Sequence, residues 1–283
     1  FEYKVIEMLL LPLLLAVITI ADESKVMLEG KTLNESSGVC VTHGGKVVWS
    51  HNDSGGKPRV FAYRRDGRFL CQLWLNDAKA IDWEDMCSFE RNGKEYLAIA
   101  DVGDNGEKRS AVMLYIVEVP PLQDVKDYLQ IRTKSFGSIK LRYPDGSHNC
   151  EAIAYDPQRK SFWLPSKTQY KSQLFECEAR QLEGTYETEA KLIQEIVMPL
   201  ATGGDISRDG KSLVLCSYGA GILMVRNDKS EPEVWRFAKS YDRSLFKIPI
   251  RKQGESICFA DDDKHLLLTS EFAPTPLFRI NAP

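Results

Sequence analysis

The stretch Gln253–Ala273, "QGESICFADDDKHLLLTSEFA", decides the fold. Glu255 stands immediately ahead of a short apolar run. An Asp-rich turn ending in Lys264 follows, and then a second apolar run that closes on small and polar residues. Two such runs joined by a Gly, Asn or Asp turn read as a hairpin. The pattern occurs four more times, in "LNESSGVCV", "IDWEDMCSF", "HNCEAIAYD" and "TGGDISRDG", which carry Glu35, Glu84, Glu151 and Asp205 at the strand opening. The five acids recur at intervals of roughly 50 to 67 residues, slightly above the length of a propeller blade.

The sequence between the acids repeats as well. Second strands read "KVVWSHNDSGG", "YLAIADVGDNG", "SFWLPSKTQ", "SLVLCSYGAG" and "HLLLTSEFA", each preceded by a turn such as "HGGK" or "RNGK". Third strands read "RVFAYRRDG", "VMLYIVEVP", "QLFECEARQ", "GILMVRNDK" and "PLFRINAP", and outer fourth strands "FLCQLWL", "IRTKSFGSIKL", "AKLIQEIVM" and "PEVWRFA". The fifth unit lacks a fourth strand, whereas the N-terminal "SKVMLEGKTL" has no unit of its own. Pairing the two closes a ring and removes both free sheet edges. The expectation is an all-β, five-bladed β-propeller with four-stranded blades, closed by the N-terminal strand on the last blade. "PLQDVKDYLQ" is expected as a short helix or loop excursion. A degenerate sixth unit around Asp124 to Gln130 is the alternative count. "KSYDRSLFKIPIRKQ" reads as a long inter-blade loop.

Composition bounds the class of protein. The chain has 283 residues, 43% hydrophobic and 27% charged, with a net charge of -3. It has no basic stripe, so nucleic acid is not an expected partner. The apolar run from Met8 to Ala21 is shorter than the roughly 20 residues of a membrane span and matches a secretory signal. Residues 1–21 are therefore expected to be a signal peptide and 22–283 a single propeller domain, secreted or periplasmic, with no membrane span after signal removal. The seven cysteines show no CxxC pair, and Cys40, Cys87, Cys216 and Cys258 sit in apolar runs as small buried hydrophobes.

In a propeller the first strand of each blade lines the central channel. Glu35, Glu84, Glu151, Asp205 and Glu255 are thus expected to converge on one axis. At about 4 Å each ionised pair costs on the order of 4 kcal/mol at an effective dielectric near 20. Such a ring takes up protons, binds cationic groups or holds a metal. An all-oxygen set suits Ca²⁺, with its 6–8 loosely arranged ligands, better than the stricter octahedron of Mg²⁺. The alternative is that the acids only accept backbone N–H bonds. The ends of the second strands face the same mouth and add Asn52, Asp53, Asp101, Asp104, Asn105, Lys167, Tyr218 and Glu271 as candidate ligand-binding groups, with Arg109 and Lys167 as cations. His51 and His148 are candidate acid–base groups. Gly203 and Gly204 are expected to let the backbone approach the axis.

The motifs "NESSG", "HNDSGG", "DWEDM", "ADVGDNGEKR", "NCEAIAYDP", "GGDISRDGK" and "QGESI" resemble a group of secreted bacterial β-propellers. They are also similar to the broader phytase-like, calcium-associated propellers. The resemblance covers most of the chain after residue 30 and implies a cation in an acidic channel with a small-molecule or glycan ligand at its mouth. The alternative is a hydrolase. A glycosidase would use Glu84, Glu151 and Glu255 as its carboxylates, two of them roughly 6.5–9.5 Å apart for an inverting reaction. A calcium-assisted phosphoesterase would clamp its substrate with Lys167 or Arg109. A glycosidase groove would draw on Trp83, Tyr218 and Phe272. A protein–protein platform is the third reading, and it requires an exposed apolar patch.

Overall fold

The computed structural model of the chain describes residues 24–127 and 129–283. The expected signal peptide lies outside them. No helix among the described residues is long and apolar enough to cross a membrane.

Five sheets are arranged as the blades of a propeller. In chain order, β1 (Ser24–Met27) precedes the first blade, which comprises β2 (Ser36–Thr42), β3 (Val47–Asn52), β4 (Arg59–Tyr63) and β5 (Phe69–Leu75). The second blade contains β6 (Trp83–Arg91), β7 (Lys94–Asp101) and β8 (Val112–Glu118). It continues through α1 (Leu122–Asp127) and β9 (Gln130–Thr133) to β10 (Gly137–Arg142). The third has β11 (Ala154–Asp156), β12 (Ser161–Pro165), β13 (Ser172–Glu178), β14 (Gly184–Glu189) and β15 (Lys191–Ile196). The fourth has β16 (Gly203–Ile206), β17 (Ser212–Cys216), β18 (Ala220–Arg226), β19 (Trp235–Phe237), α2 (Tyr241–Ser244) and β20 (Leu245–Lys247). The fifth has β21 (Ile257–Phe259), β22 (His265–Thr269) and β23 (Pro276–Asn281). β1 pairs antiparallel with β23, Lys25 opposite Phe278, and so supplies the missing outer strand as the sequence implies.

The turns obey the chemistry read from the sequence. Asn92 (φ 55°) and Gly93 (φ 73°) form the two central residues of the β6–β7 hairpin, where both positive φ values suit a type I′ turn. Strand burial shows why the apolar runs are continuous rather than alternating. Each sheet packs against a neighbour on both faces, so β2 and β12 are buried along their whole length. Five hydrophobic clusters each bridge two adjacent blades. The cluster joining Val39, Val48 and Phe61 to Cys258, Leu267 and Leu277 seals the fifth blade against the first. All seven cysteines are buried and unpaired.

Three features depart from the expected plan. "IRTKSFGSIKL" is not one outer strand. Its first part, β9, crosses back and pairs in parallel with β5 of the first blade, and only β10 completes the second. Likewise β14, an excursion from the third blade, pairs in parallel with β10 of the second. The excursion around Asp124 to Gln130 therefore supplies a short helix and an added strand, not a sixth blade. The inter-blade loop before the fifth unit also contains structure: α2, and β20 paired with β18.

Candidate functional site

The inner strands β2, β6, β11, β16 and β21 surround the axis, each touching the next. At one mouth a single backbone bond repeats. Asp53 N donates to Glu35 O at 2.8 Å, Gly103 N to Asp82 O at 3.2 Å, Lys167 N to Asn149 O at 2.8 Å and Glu271 N to Gln253 O at 2.8 Å. This bond sets the phase. Glu35, Asp82, Asn149 and Gln253 are equivalent, and two residues further on stand Ser37, Glu84, Glu151 and Glu255. In the fourth blade the turn bonds Ser207 N to Ser212 O and Ala260 N to His265 O align Thr202 with Glu255 and Asp205 with Cys258.

The inward ring is thus three glutamates, a serine and a threonine, not five acids. Glu84, Glu151 and Glu255 are buried at the mouth. Glu35 is exposed and lies outside both carboxylate groups that converge there. Asp205 sits deeper, accepting from Phe259 N and Ile206 N at 2.9 Å each, and burial pushes its carboxyl up to about 7. It matches the backbone-bonding alternative.

Two sets of carboxylates converge, each with ligand oxygens within 4.8 Å of one another: Asp53, Asp82 and Glu84, and Asp53, Glu255 and Glu271. Asp53 belongs to both. Oxygens on opposite sides of a calcium ion lie about 4.6–5.2 Å apart, so each set matches its dimensions. One Asp53 oxygen, Oδ1, is buried without a hydrogen-bond partner. Gln253 Nε2 donates to Glu255 Oε1 at 3.2 Å and to Glu271 Oε1 at 2.9 Å, holding those two side by side. Ser37 Oγ donates to Glu255 Oε2 at 3.5 Å.

Crowding and burial govern protonation. Burial, followed by Glu151, Asp53 and Asp82, pushes the Glu84 carboxyl far above its usual range. Burial with Glu255 and Asp82 lifts Asp53 to about 6. Burial with Glu255 and Asp53 lifts Glu271 to about 7. Glu151 is the exception in its surroundings. Lys167 Nζ lies 2.5 Å from its Oε2 and 2.9 Å from Tyr218 OH, and Asn149 Nδ2 donates to its Oε1 at 3.1 Å. Burial works against the Lys167 charge, but Glu151 and Tyr218 hold it above its ordinary value. The pair is ammonium and carboxylate, with burial and then the Glu255 charge lifting Glu151 against the pull of Lys167 and Asn149.

Several candidates act as scaffold. Asn52 Oδ1 accepts from Asn34 N and Glu35 N. Asp101 bonds Arg109 at 2.8 Å, and Asp104 accepts from Lys108 N and Arg109 N. Asn105 Oδ1 accepts from Asn149 Nδ2. The bonds of Asp101, Asp104 and Asn105 shape the loop after β7, and those of Asn52 hold the segment before β2. His148 is tied to Asp145 at 2.7 Å and packs on Tyr143 and Phe175. His51 is fully buried, edge-on to Trp83, and burial pulls it down to about 4, leaving it neutral at pH 7. Trp83 is buried and offers no platform, whereas Tyr218 and Phe272 are partly exposed.

Asp82, Gln253 and Asp85 were not among the expected site residues. A signal for two of them was present, because "DWED" carries acids on both sides of Glu84. Asp85 is fully buried. Its Oδ2 accepts from Ile153 N at 3.1 Å and Gly204 N at 3.3 Å, and its Oδ1 from Met86 N at 2.8 Å. It ties three blades together below the mouth.

Glycines create the room. A Cβ at Gly103 would collide with Glu84 Oε1 and the Asp82 carboxyl, and one at Gly203 with the Glu255 carbonyl. The close approach read from "TGGDIS" is therefore present. Gly103→Ala is expected to overpack the mouth and lower stability by about 1–3 kcal/mol, read from the urea midpoint. An unchanged midpoint would mean that the carboxylates have slack.

Among solved structures the chain is similar to the β-propeller domain of Cps50 (Swd1) from Myceliophteria thermophila, at 11% identity and a TM-score of 0.50, covering 92% of this chain and 100% of that one. It is also similar to the PQQ-bound form of aldose sugar dehydrogenase from Streptomyces coelicolor, at 8% identity and a TM-score of 0.44, covering 92% and 98%. The first likeness supports the propeller fold and nothing finer. No family model matches the chain, and no curated protein matches its sequence.

Proposed function

We propose that this protein is an exported β-propeller that binds a divalent cation, Ca²⁺ in preference to Mg²⁺, at the mouth of its channel. Asp53, Asp82, Glu84, Glu255 and Glu271 are its ligand set. The observation that carries this reading is the pair of carboxylate groups sharing Asp53, whose buried Oδ1 lacks a partner. The set is all oxygen, and crowding leaves it holding protons that a cation would displace. Once bound, the ion supplies a Lewis-acidic centre facing the mouth, suited to an oxygen-rich ligand of the small-molecule or glycan class.

The cations nearby favour binding over phosphoester cleavage. Lys167 is engaged by Glu151 and Arg109 by Asp101, so both are already neutralised by a carboxylate. Tyr218, held by Lys167 on the rim, is positioned to touch a ligand.

Calorimetric titration with CaCl₂ tests the proposal. Wild type is expected to bind, and Asp53→Asn to lose at least about tenfold in affinity, the equivalent of about 1.4 kcal/mol, because both groups lose a charged ligand. Glu35→Gln is expected to bind like wild type. Equal affinity in Asp53→Asn and wild type would overturn the assignment.

A further inference from the structure

One surface feature is unexplained by the channel. At the rim of the fifth blade Ile250 is 99% exposed, Phe272 51% and Met27 40%. They surround a shallow cavity of about 160 Å³ whose walls also carry Lys25, Arg251 and Lys252. Phe272 holds a left-handed backbone (φ 71°), an arrangement that costs a non-glycine residue on the order of 1 kcal/mol. Its N–H donates to Asn34 O at 2.7 Å, so the neighbouring blade fixes the ring outward. Lys252 Nζ lies 5.8 Å from the Phe272 ring and Lys25 Nζ 5.3 Å from the Phe278 ring.

Exposed aliphatic and aromatic side chains flanked by lysines have the composition of an interfacial membrane contact. The local charge also runs against that of the chain, which is -3 overall. Lys25 and Lys252 against the single carboxylate of Glu271 make this corner complementary to anionic headgroups, whereas Arg251 is buried and bonds the carbonyls of Ser256, Thr269 and Ser217. A second observation is independent of the first. The apolar run Met8–Ala21 ends three residues before Ser24, and the strand beginning there, β1, contributes Lys25 and Met27 to this same corner. Until the signal is cleaved, a membrane that takes up the run is covalently held within a few residues of the patch.

We propose that the Ile250–Phe272–Met27 corner of the fifth blade docks on an anionic lipid surface, with the apolar side chains entering the headgroup region and Lys25 and Lys252 pairing with lipid charge. This does not depend on the cation site.

The test places an environment-sensitive fluorophore on Ile250→Cys in the full chain. The native cysteines are buried, which directs the label to the new position. Glu231→Cys, in the exposed loop between β18 and β19, is the reference. With vesicles of 70% phosphatidylcholine and 30% phosphatidylglycerol, the probe at 250 is expected to shift to the blue and brighten severalfold while the probe at 231 stays aqueous. Pure phosphatidylcholine is expected to give a smaller change, and Lys25→Glu with Lys252→Glu to weaken the response about tenfold. The reference probe separates docking from anchoring by residues 1–21, because anchoring alone leaves both probes in water. If the probe at 250 remains as aqueous as the one at 231 on both membranes, the corner is not a lipid surface and the proposal fails. A response insensitive to both lipid charge and the lysine substitutions overturns it equally.

Discussion

In the presence of a chelator, the melting temperature is expected to fall as the pH is raised from about 6.5 to 8.5. Glu84, buried among Glu151, Asp53 and Asp82, keeps its proton in the folded chain through this window, and Glu271 gives its own up near 7. In the unfolded chain both are already ionised, since a free glutamate titrates near 4.3. The folded state therefore binds more protons, and stability declines with pH. One retained proton gives about 1.4 kcal/mol per pH unit, hence about 3 kcal/mol across the window and roughly 5–10 °C for a domain of this size. Below about 6.5 the gain on acidification is reduced by one proton, because the unfolded chain protonates a histidine that burial holds neutral at position 51 down to about 4, but Glu84 and Glu271 both keep theirs in the folded chain and the sign is unchanged. Stability therefore keeps rising as the pH falls, until the carboxylates of the unfolded chain take up protons near 4.3. Saturating Ca²⁺ is expected to restore the lost degrees at pH 8.5 and to add little at pH 6, because binding requires the protons to leave. Calorimetry at four pH values, with and without the ion, measures both effects. A melting temperature that climbs from pH 6.5 to 8.5 in chelator would contradict the protonated mouth, and a Ca²⁺ shift equal at both pH values would remove the cation from it.

Replacing Asp85 by alanine is expected to cost about 3–5 kcal/mol. Its carboxylate accepts from Ile153 N of the third blade and Gly204 N of the fourth while being carried by the second. The alanine variant leaves these two N–H groups buried without an acceptor, at about 1–3 kcal/mol each, and opens a small cavity besides. Asp85→Asn keeps an acceptor oxygen and should lose less. Equilibrium urea unfolding separates the three proteins. A loss below about 1 kcal/mol in the alanine variant would mean that water or another group takes over the bonds, and that the carboxylate does not hold the three blades.

The blade plan was legible because it rests on local chemistry. Turn residues such as Asn92 and Gly93 specify their own backbone, and the fully buried strands read as unbroken apolar runs. The added strands were not legible for the same reason. "QIRT" and "GTYETE" are short and largely exposed, so neither carries a hydrophobic pattern that assigns it to a neighbour's sheet. The glutamates at 84, 151 and 255 were found because they share one position beside buried strands. Glu35 and Asp205 were grouped with them because a two- or three-residue offset is invisible without the cross-strand bonds that set phase. Asp53 was expected at the mouth as a ligand-binding candidate, but not among the metal ligands. That it is shared by two carboxylate groups depends on the spacing of three blades around the axis, which is tertiary information.

The parallel strands β9 and β14 bind the first three blades into one block, and β1 fastens the fifth to the first. Among the described residues no strand ties the fourth blade to either side. Side chains hold it instead: Gln194 with Trp235, Asp156 with Arg226, Asp205 with Phe259 N, and Arg251 with Ser217 O. Hydrogen exchange should therefore be fastest there, with residues 203–247 acting as the first cooperative unit to detach while the remaining arc stays protected. The molecule is in this sense a horseshoe with a removable wedge, and departure of that wedge would open the channel sideways.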